Sequence, residues 1–114
     1  MMDYENTSVF PKTYELFNSW TTADKVQFIQ LMQQMESLGI LLAGKSIDID
    51  LVEKTLGSFV TSSWDKYKPL IIDMRLKHPD PYLAEYFQWM AEKIEKRMYD
   101  NKRPPFFMSE KESH

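Results

Sequence analysis

From Pro11 onward, large apolar residues return at intervals of three and four along most of the chain, the spacing that gathers side chains on one face of an α-helix. Tyr14, Leu16, Phe17 and Trp20 form an apolar segment behind Pro11, a residue suited to the first helical position, and predict a short helix there. Thr21 or Thr22 offers a hydroxyl to cap a second helix, over Ala23 to about Ala43. Phe28, Leu31, Met32, Met35, Leu38 and Leu42 share one of its faces. Val26, Ile29, Ile40 and Leu41 widen that stripe, so this helix is expected to be covered on more than one side. Gly44 is expected to end it in the left-handed conformation.

A third helix is expected to start near Asp48 or Asp50, where Asp50 and Glu53 have the spacing of a capping box. Val52, Leu56, Phe59, Val60, Trp64, Tyr67, Leu70, Ile71 and Met74 then keep helical period. Pro69 falls inside the series and predicts a kink near residues 65–68. Pro79 closes this helix, and Asp80 followed by Pro81 predicts the cap and first position of the last one. Its seam is Leu83, Tyr86, Phe87, Met90, Ile94 and Met98, and Glu92 and Lys96 are spaced for an ion pair on its wet face. Pro104 and Pro105 end helical structure. No stretch of four or more residues holds the two-residue alternation of a strand, Ile47 to Asp50 coming closest. The expected fold is all-α: a compact antiparallel bundle of three long helices plus one short N-terminal helix, one helix kinked at Pro69. Residues 1–10 read as a loose leader, 11–108 as a single helical domain and 109–114 as a disordered polar tail.

Three segments resemble one known family. They are the turn Ser46-Ile47-Asp48 after a long helix, the set Leu51, Val52, Leu56, Gly57, Trp64, Pro69, Leu70, Ile71 and Arg75, and the closing aromatic helix at 86–94. Together, over residues 28–89, they are similar to the helical group named domain of unknown function 4760 (DUF4760). The resemblance implies a helical domain and carries no activity with it. Many members of that group have a membrane segment ahead of this domain; this sequence departs from that pattern, and a membrane role is not expected of it.

Composition narrows the chemistry. The chain has 114 residues and no cysteine, which removes disulfides, thiolate metal sites and cysteine nucleophiles together. With three glycines, it has almost no material for a phosphate-cradling loop. Its longest unbroken apolar run is Ile40 to Ala43, far from the roughly 20 residues of a transmembrane helix. The first ten residues are acidic and polar, unlike a signal peptide, so the expected location is cytoplasmic. Residues 1–53 carry eight acids and three bases, whereas residues 54–103 carry ten bases and seven acids. The two halves can therefore face each other within one bundle or engage a partner of opposite sign.

Neither histidine has the surroundings of a catalytic base: His114 is the last residue, and His78 lies at a helix end between Lys77 and Pro79. No Glu-x-x-His pair of the kind that builds carboxylate metal sites in bundles occurs, and neither metal nor cofactor is expected. Bases near the end of the last helix alternate with Glu92, Glu95 and Asp100, and the pI is about 5.4, which argues against nucleic acid as a partner. Arg75 borders the apolar seam and is expected to form an ion pair with Glu85 or Glu92, or else to recognise a ligand. Trp89 lies off the seam of the last helix and is a candidate contact for a partner or a second copy. Phe106, Phe107 and Met108 follow two prolines and are expected to dock, either on the bundle itself or in a partner's groove. The sequence therefore predicts a non-enzymatic helical interaction or regulatory module, self-association being one mode. A bacterial or phage accessory protein that blocks another protein would have these features. The alternative is a small-ligand-binding or enzymatic bundle with its site near Arg75 and Trp64.

Overall fold

The computed structural model describes residues 11–78, 80–101 and 107–108. The leader 1–10, the tail 109–114 and Pro79 lie outside the described residues. The main helices are α1 (Tyr14–Asn18), α2 (Thr22–Ala43), α3 (Ile49–Lys77) and α4 (Glu85–Asn101). No strand occurs among the described residues.

Local chemistry sets each helix end. Pro11 does not open α1. It is buried in the preceding extended segment, and Thr13 caps the helix by accepting the N–H of Leu16. Thr21, rather than Thr22, caps α2 by accepting the N–H of Asp24. The far end of α2 departs from expectation, because Gly44 keeps φ −81° and Lys45 takes the left-handed conformation at φ 61°. The N–H of Ser46 then reaches the Leu41 carbonyl and that of Lys45 the Leu42 carbonyl, the two bonds of a Schellman motif with Lys45 just past the cap. Asp48 caps α3 by accepting the N–H of Asp50. The expected capping box of Asp50 and Glu53 is not formed, since both carboxylates turn to Arg97 of α4, at 3.2 and 2.8 Å. Pro69 sits inside α3 without terminating it, although its ring nitrogen leaves the Asp65 carbonyl without the usual donor.

Paired residues give the direction of the helices. Asp50 and Glu53 at the start of α3 meet Arg97 near the end of α4, whereas Arg75 near the end of α3 meets Gln88 near the start of α4. These two helices are therefore antiparallel. Glu36 and Gly39 of α2 lie against Tyr86 and Phe87, and Leu42 and Ala43 lie beside Trp89 and Lys93, so α2 and α4 run the same way. The result is an up-down-up arrangement in which α4 makes the two largest interfaces, with α3 and with α2. The core is Phe87, Leu70, Ile71, Met90, Ile94 and Val60, all fully buried, and Trp64 packs edge-on against Phe87 at 5.2 Å. A satellite cluster lies where α2 and α3 extend beyond α4. Phe28 there stands between Phe17 of α1 and Tyr67 of α3, at 5.3 and 5.2 Å.

The extents are 54 × 40 × 22 Å. The smallest is about two helix diameters, so the bundle is a slab. That shape overturns the expectation for α2: Val26, Ile29, Ile40 and Leu41 are all exposed, because no described element lies on that side. Leu56 and Phe59, expected in the α3 seam, are exposed for the same reason.

The short α1 is held by polar contacts as well as by Phe17. The Tyr14 N–H donates to Asp73 Oδ2 at 2.8 Å, and Lys77 Nζ bridges Glu15 and Asp73 at 2.9 and 3.3 Å. The Tyr14 ring also meets His78 edge-on. The Lys77 bond lowers the Glu15 carboxyl pKa, the Tyr14 amide lowers that of Asp73, and the Glu15 bond raises the Lys77 ammonium.

Two outcomes follow for stability. Depressed carboxylate pKa values contribute stability that is present above the ordinary carboxylate range and lost as pH falls through the folded values. Thermal unfolding should therefore lose midpoint below about pH 4, and Asp73→Asn should flatten that acid limb by lowering the midpoint at neutral pH, where the contribution is present, and changing the melt in acid less. At Gly39, an added Cβ would stand 2.5 Å from the Tyr86 carbonyl oxygen and 2.8 Å from its carbon. Helix propensity alone would make Gly39→Ala stabilising by about 1 kcal/mol. The backbone contact reverses the sign, and urea unfolding should show a net loss of about 1–3 kcal/mol.

Candidate interaction surface

An arginine bordering an apolar seam must place its donors before the stem can pack. Arg75 does so on the loop ahead of α4. Its Nε and Nη2 both donate to the Leu83 carbonyl, at 2.9 and 2.7 Å, and its Nη1 donates to Gln88 Oε1 at 2.9 Å. Gln88 Nε2 in turn donates to Glu92 at 3.0 Å. The expected ion pair with Glu85 or Glu92 is thus replaced by neutral acceptors, and Glu92 is reached only through Gln88. Glu92 does not take Lys96 either, for Lys96 pairs with Asp100 at 2.8 Å.

This loop also corrects the start of α4. Asp80 and Pro81 do not open the helix. Asp80 Oδ1 accepts the Tyr82 N–H, the Asp80 carbonyl accepts that of Leu83, and the Tyr82 carbonyl accepts that of Glu85. Ala84 is left-handed at φ 59°, which stops any helix from running through it. The helix begins at Glu85, and its next two N–H groups are taken by a carboxylate from another helix: Tyr86 donates to Glu36 Oε2 at 3.2 Å and Phe87 to Oε1 at 2.9 Å. Glu36 is the residue that pattern reading missed. Its signal is that it is the lone charge between Lys25 and Lys45.

The candidate residues separate. Trp64 is buried against Phe87, and Arg75 lies eleven residues further along the same helix with all three nitrogens engaged. Trp89 is 39% exposed and lines an open cleft of about 480 Å³ with Leu42, Ala43, Ile47 and Ile49, where Lys93 Nζ lies 5.8 Å from the centre of its ring. Phe107 and Met108 are 64% and 45% exposed, so the bundle's own core does not cover them, and Phe106 lies outside the described residues. A second cleft of about 350 Å³ runs beside Trp20, Phe28 and Tyr67, where burial raises the Tyr67 hydroxyl pKa. No group of three or more potential metal ligands occurs among the described residues, and none of the described helices is long and apolar enough to cross a membrane.

Fold and surface together define a small all-α domain with an up-down-up core and apolar side chains left outward. The chain belongs to the family described as domain of unknown function DUF4760, whose family model matches residues 3–94. The match is wider than the motifs at 28–89 and stops before Arg97. Comparison with curated proteins and with solved structures finds no match.

The Arg75 contacts generate a test. Removing the guanidinium strands the Leu83 carbonyl in a partly buried turn, so Arg75→Met should cost about 1–3 kcal/mol in urea unfolding. Arg75→Lys keeps one donor and should recover part of that loss.

Proposed function

We propose that this protein is a non-enzymatic helical interaction module that works by presenting apolar helix surface to another protein chain. The observation that carries this reading is the exposure of large apolar residues on its outer faces: Trp89 over its cleft, Phe59 on α3, and Val26, Ile29, Ile40 and Leu41 on α2. Large apolar side chains left outward in this number support a contact surface. Trp89 adds the residue type most enriched among energetic anchors, beside aliphatic side chains that can exclude water around it. The reading with a site at Arg75 and Trp64 has less support, because the first is saturated by its own fold and the second is packed in the core.

Trp89→Ala is the discriminating variant. Because Trp89 is substantially exposed, the substitution should change unfolding free energy by less than about 1 kcal/mol. The immobilised wild-type chain should retain a specific protein from native lysate, or a second copy of itself, and the variant should lose it. An unchanged set of retained proteins, or a stability loss of the size expected for a core tryptophan, would remove Trp89 from the contact surface.

A further inference from the structure

The open cleft beside Trp89 carries charge as well as an apolar wall. Leu42, Ala43, Ile47, Ile49 and the Trp89 ring line it, and two lysines stand with them, Lys45 from the turn after α2 and Lys93 from α4. Elsewhere in the fold Lys54, Lys77, Lys96 and Arg97 are each held by carboxylates. Lys45 and Lys93 are exposed, and among the described residues no ion pair takes either of them. Asp48, the acid that lines the same cleft, is turned to its own helix, where Oδ1 accepts the Asp50 N–H at 3.2 Å. The cleft is therefore apolar along its wall and basic at its rim.

The placement of Lys45 comes at a backbone cost. The turn after α2 needs a left-handed residue just past the cap, a position that glycine fills without strain. Gly44 stands one place too early, at φ −81°, and Lys45 takes φ 61° instead. Strain of this kind on a residue with a side chain is a pointer to use of that side chain. On the α4 side, Lys93 Nζ lies 5.8 Å from the centre of the Trp89 ring, a cation–π contact that holds the ammonium and the ring together. We propose that this cleft takes an acidic segment of a partner protein. One large apolar side chain of that segment enters beside Trp89, Ile47 and Ile49, and flanking Asp or Glu carboxylates pair with Lys45 and Lys93. This rests on the interaction reading above and names the chemistry of the partner. The anchored side chain supplies affinity, while the two rim charges speed encounter and reject basic segments.

The test selects random short peptides displayed on phage against the immobilised full chain and measures the selected peptides by fluorescence anisotropy. They should carry a Leu, Phe or Trp with Asp or Glu on both sides, and their affinity should fall with added salt. Lys45→Glu and Lys93→Glu together should weaken them by at least about 10-fold, with helical circular dichroism unchanged, since both side chains are exposed. A second selection against that double variant should favour basic flanks. Lys45→Gly should raise the thermal midpoint by removing the strained conformation and still weaken the same peptides, whereas a lysine with no part in binding would give the first effect alone. Peptides without acidic flanks, or acidic peptides lost in Trp89→Ala yet indifferent to the lysine reversals, overturn the proposal and leave the interaction reading standing. Acidic peptides that Trp89→Ala retains bind elsewhere, and they overturn both the proposal and the place of Trp89 in that reading. A selection that returns no peptide overturns the proposal, whereas Trp89-dependent capture of a folded protein stays independent of it.

Discussion

A helix that begins in the middle of a bundle carries the positive end of its dipole and a set of free N–H groups into a place where water is scarce. In this fold every such group of α4 is accounted for. Glu85 donates to the Tyr82 carbonyl, and Tyr86 and Phe87 donate to the two oxygens of Glu36. A carboxylate is the best acceptor for this position, because it answers both the hydrogen bonds and the dipole. Glu36 can reach only because α2 approaches closely, and the approach is possible only because Gly39 brings no side chain against the Tyr86 carbonyl. Arg75 fixes the same loop from the other side by holding the Leu83 carbonyl. The three residues come from two helices and fix where the third begins.

With its start fixed, α4 is clamped again at its far end. Arg97 brings Glu53, itself buried, and Asp50 onto α4, joining the first turns of α3 to the last turns of α4. Phe87, Met90 and Ile94 lie between the two clamps and fill the core. All three long helices fit within a slab about two helices thick, so α2 and α3 keep apolar residues on their outer sides. The exposed aliphatic surface of this domain is a consequence of its layer architecture and is compatible with a complete core.

Periodicity made the helices and most of the core legible in sequence. The buried positions Phe28, Met35, Leu42, Trp64, Phe87, Met90 and Ile94 are those the pattern selected. Legibility failed wherever a local signal competed with a distant partner. Asp80-Pro81 is a good helix start by itself, but the loop that Arg75 holds and the left-handed Ala84 move the start to Glu85. Asp50 and Glu53 have the right spacing for a cap and are drawn to Arg97, 47 and 44 residues away. Val26, Ile29, Ile40 and Leu41 carry the same hydropathy as core residues, and hydropathy does not record whether a neighbouring layer exists. The position of Trp89 off its seam predicts its exposure, whereas the position of Arg75 predicts a need for acceptors without showing that they are a carbonyl and an amide in place of a carboxylate.

The Glu36 contact also bears on the order in which the chain becomes structured. During synthesis α2 and α3 emerge ahead of α4, and both can form helical hydrogen bonds from their own residues. The oxygens of Glu36 and the bare flank at Gly39 then wait for residues some 50 positions later in the chain. Until Phe87 arrives, Trp64 has no ring to pack against and the nascent pair of helices shows its future core to solvent. Long-range closure of this kind slows folding relative to local helix formation. The seam between α2 and α4 therefore cannot close before residues 86 and 87 have been made.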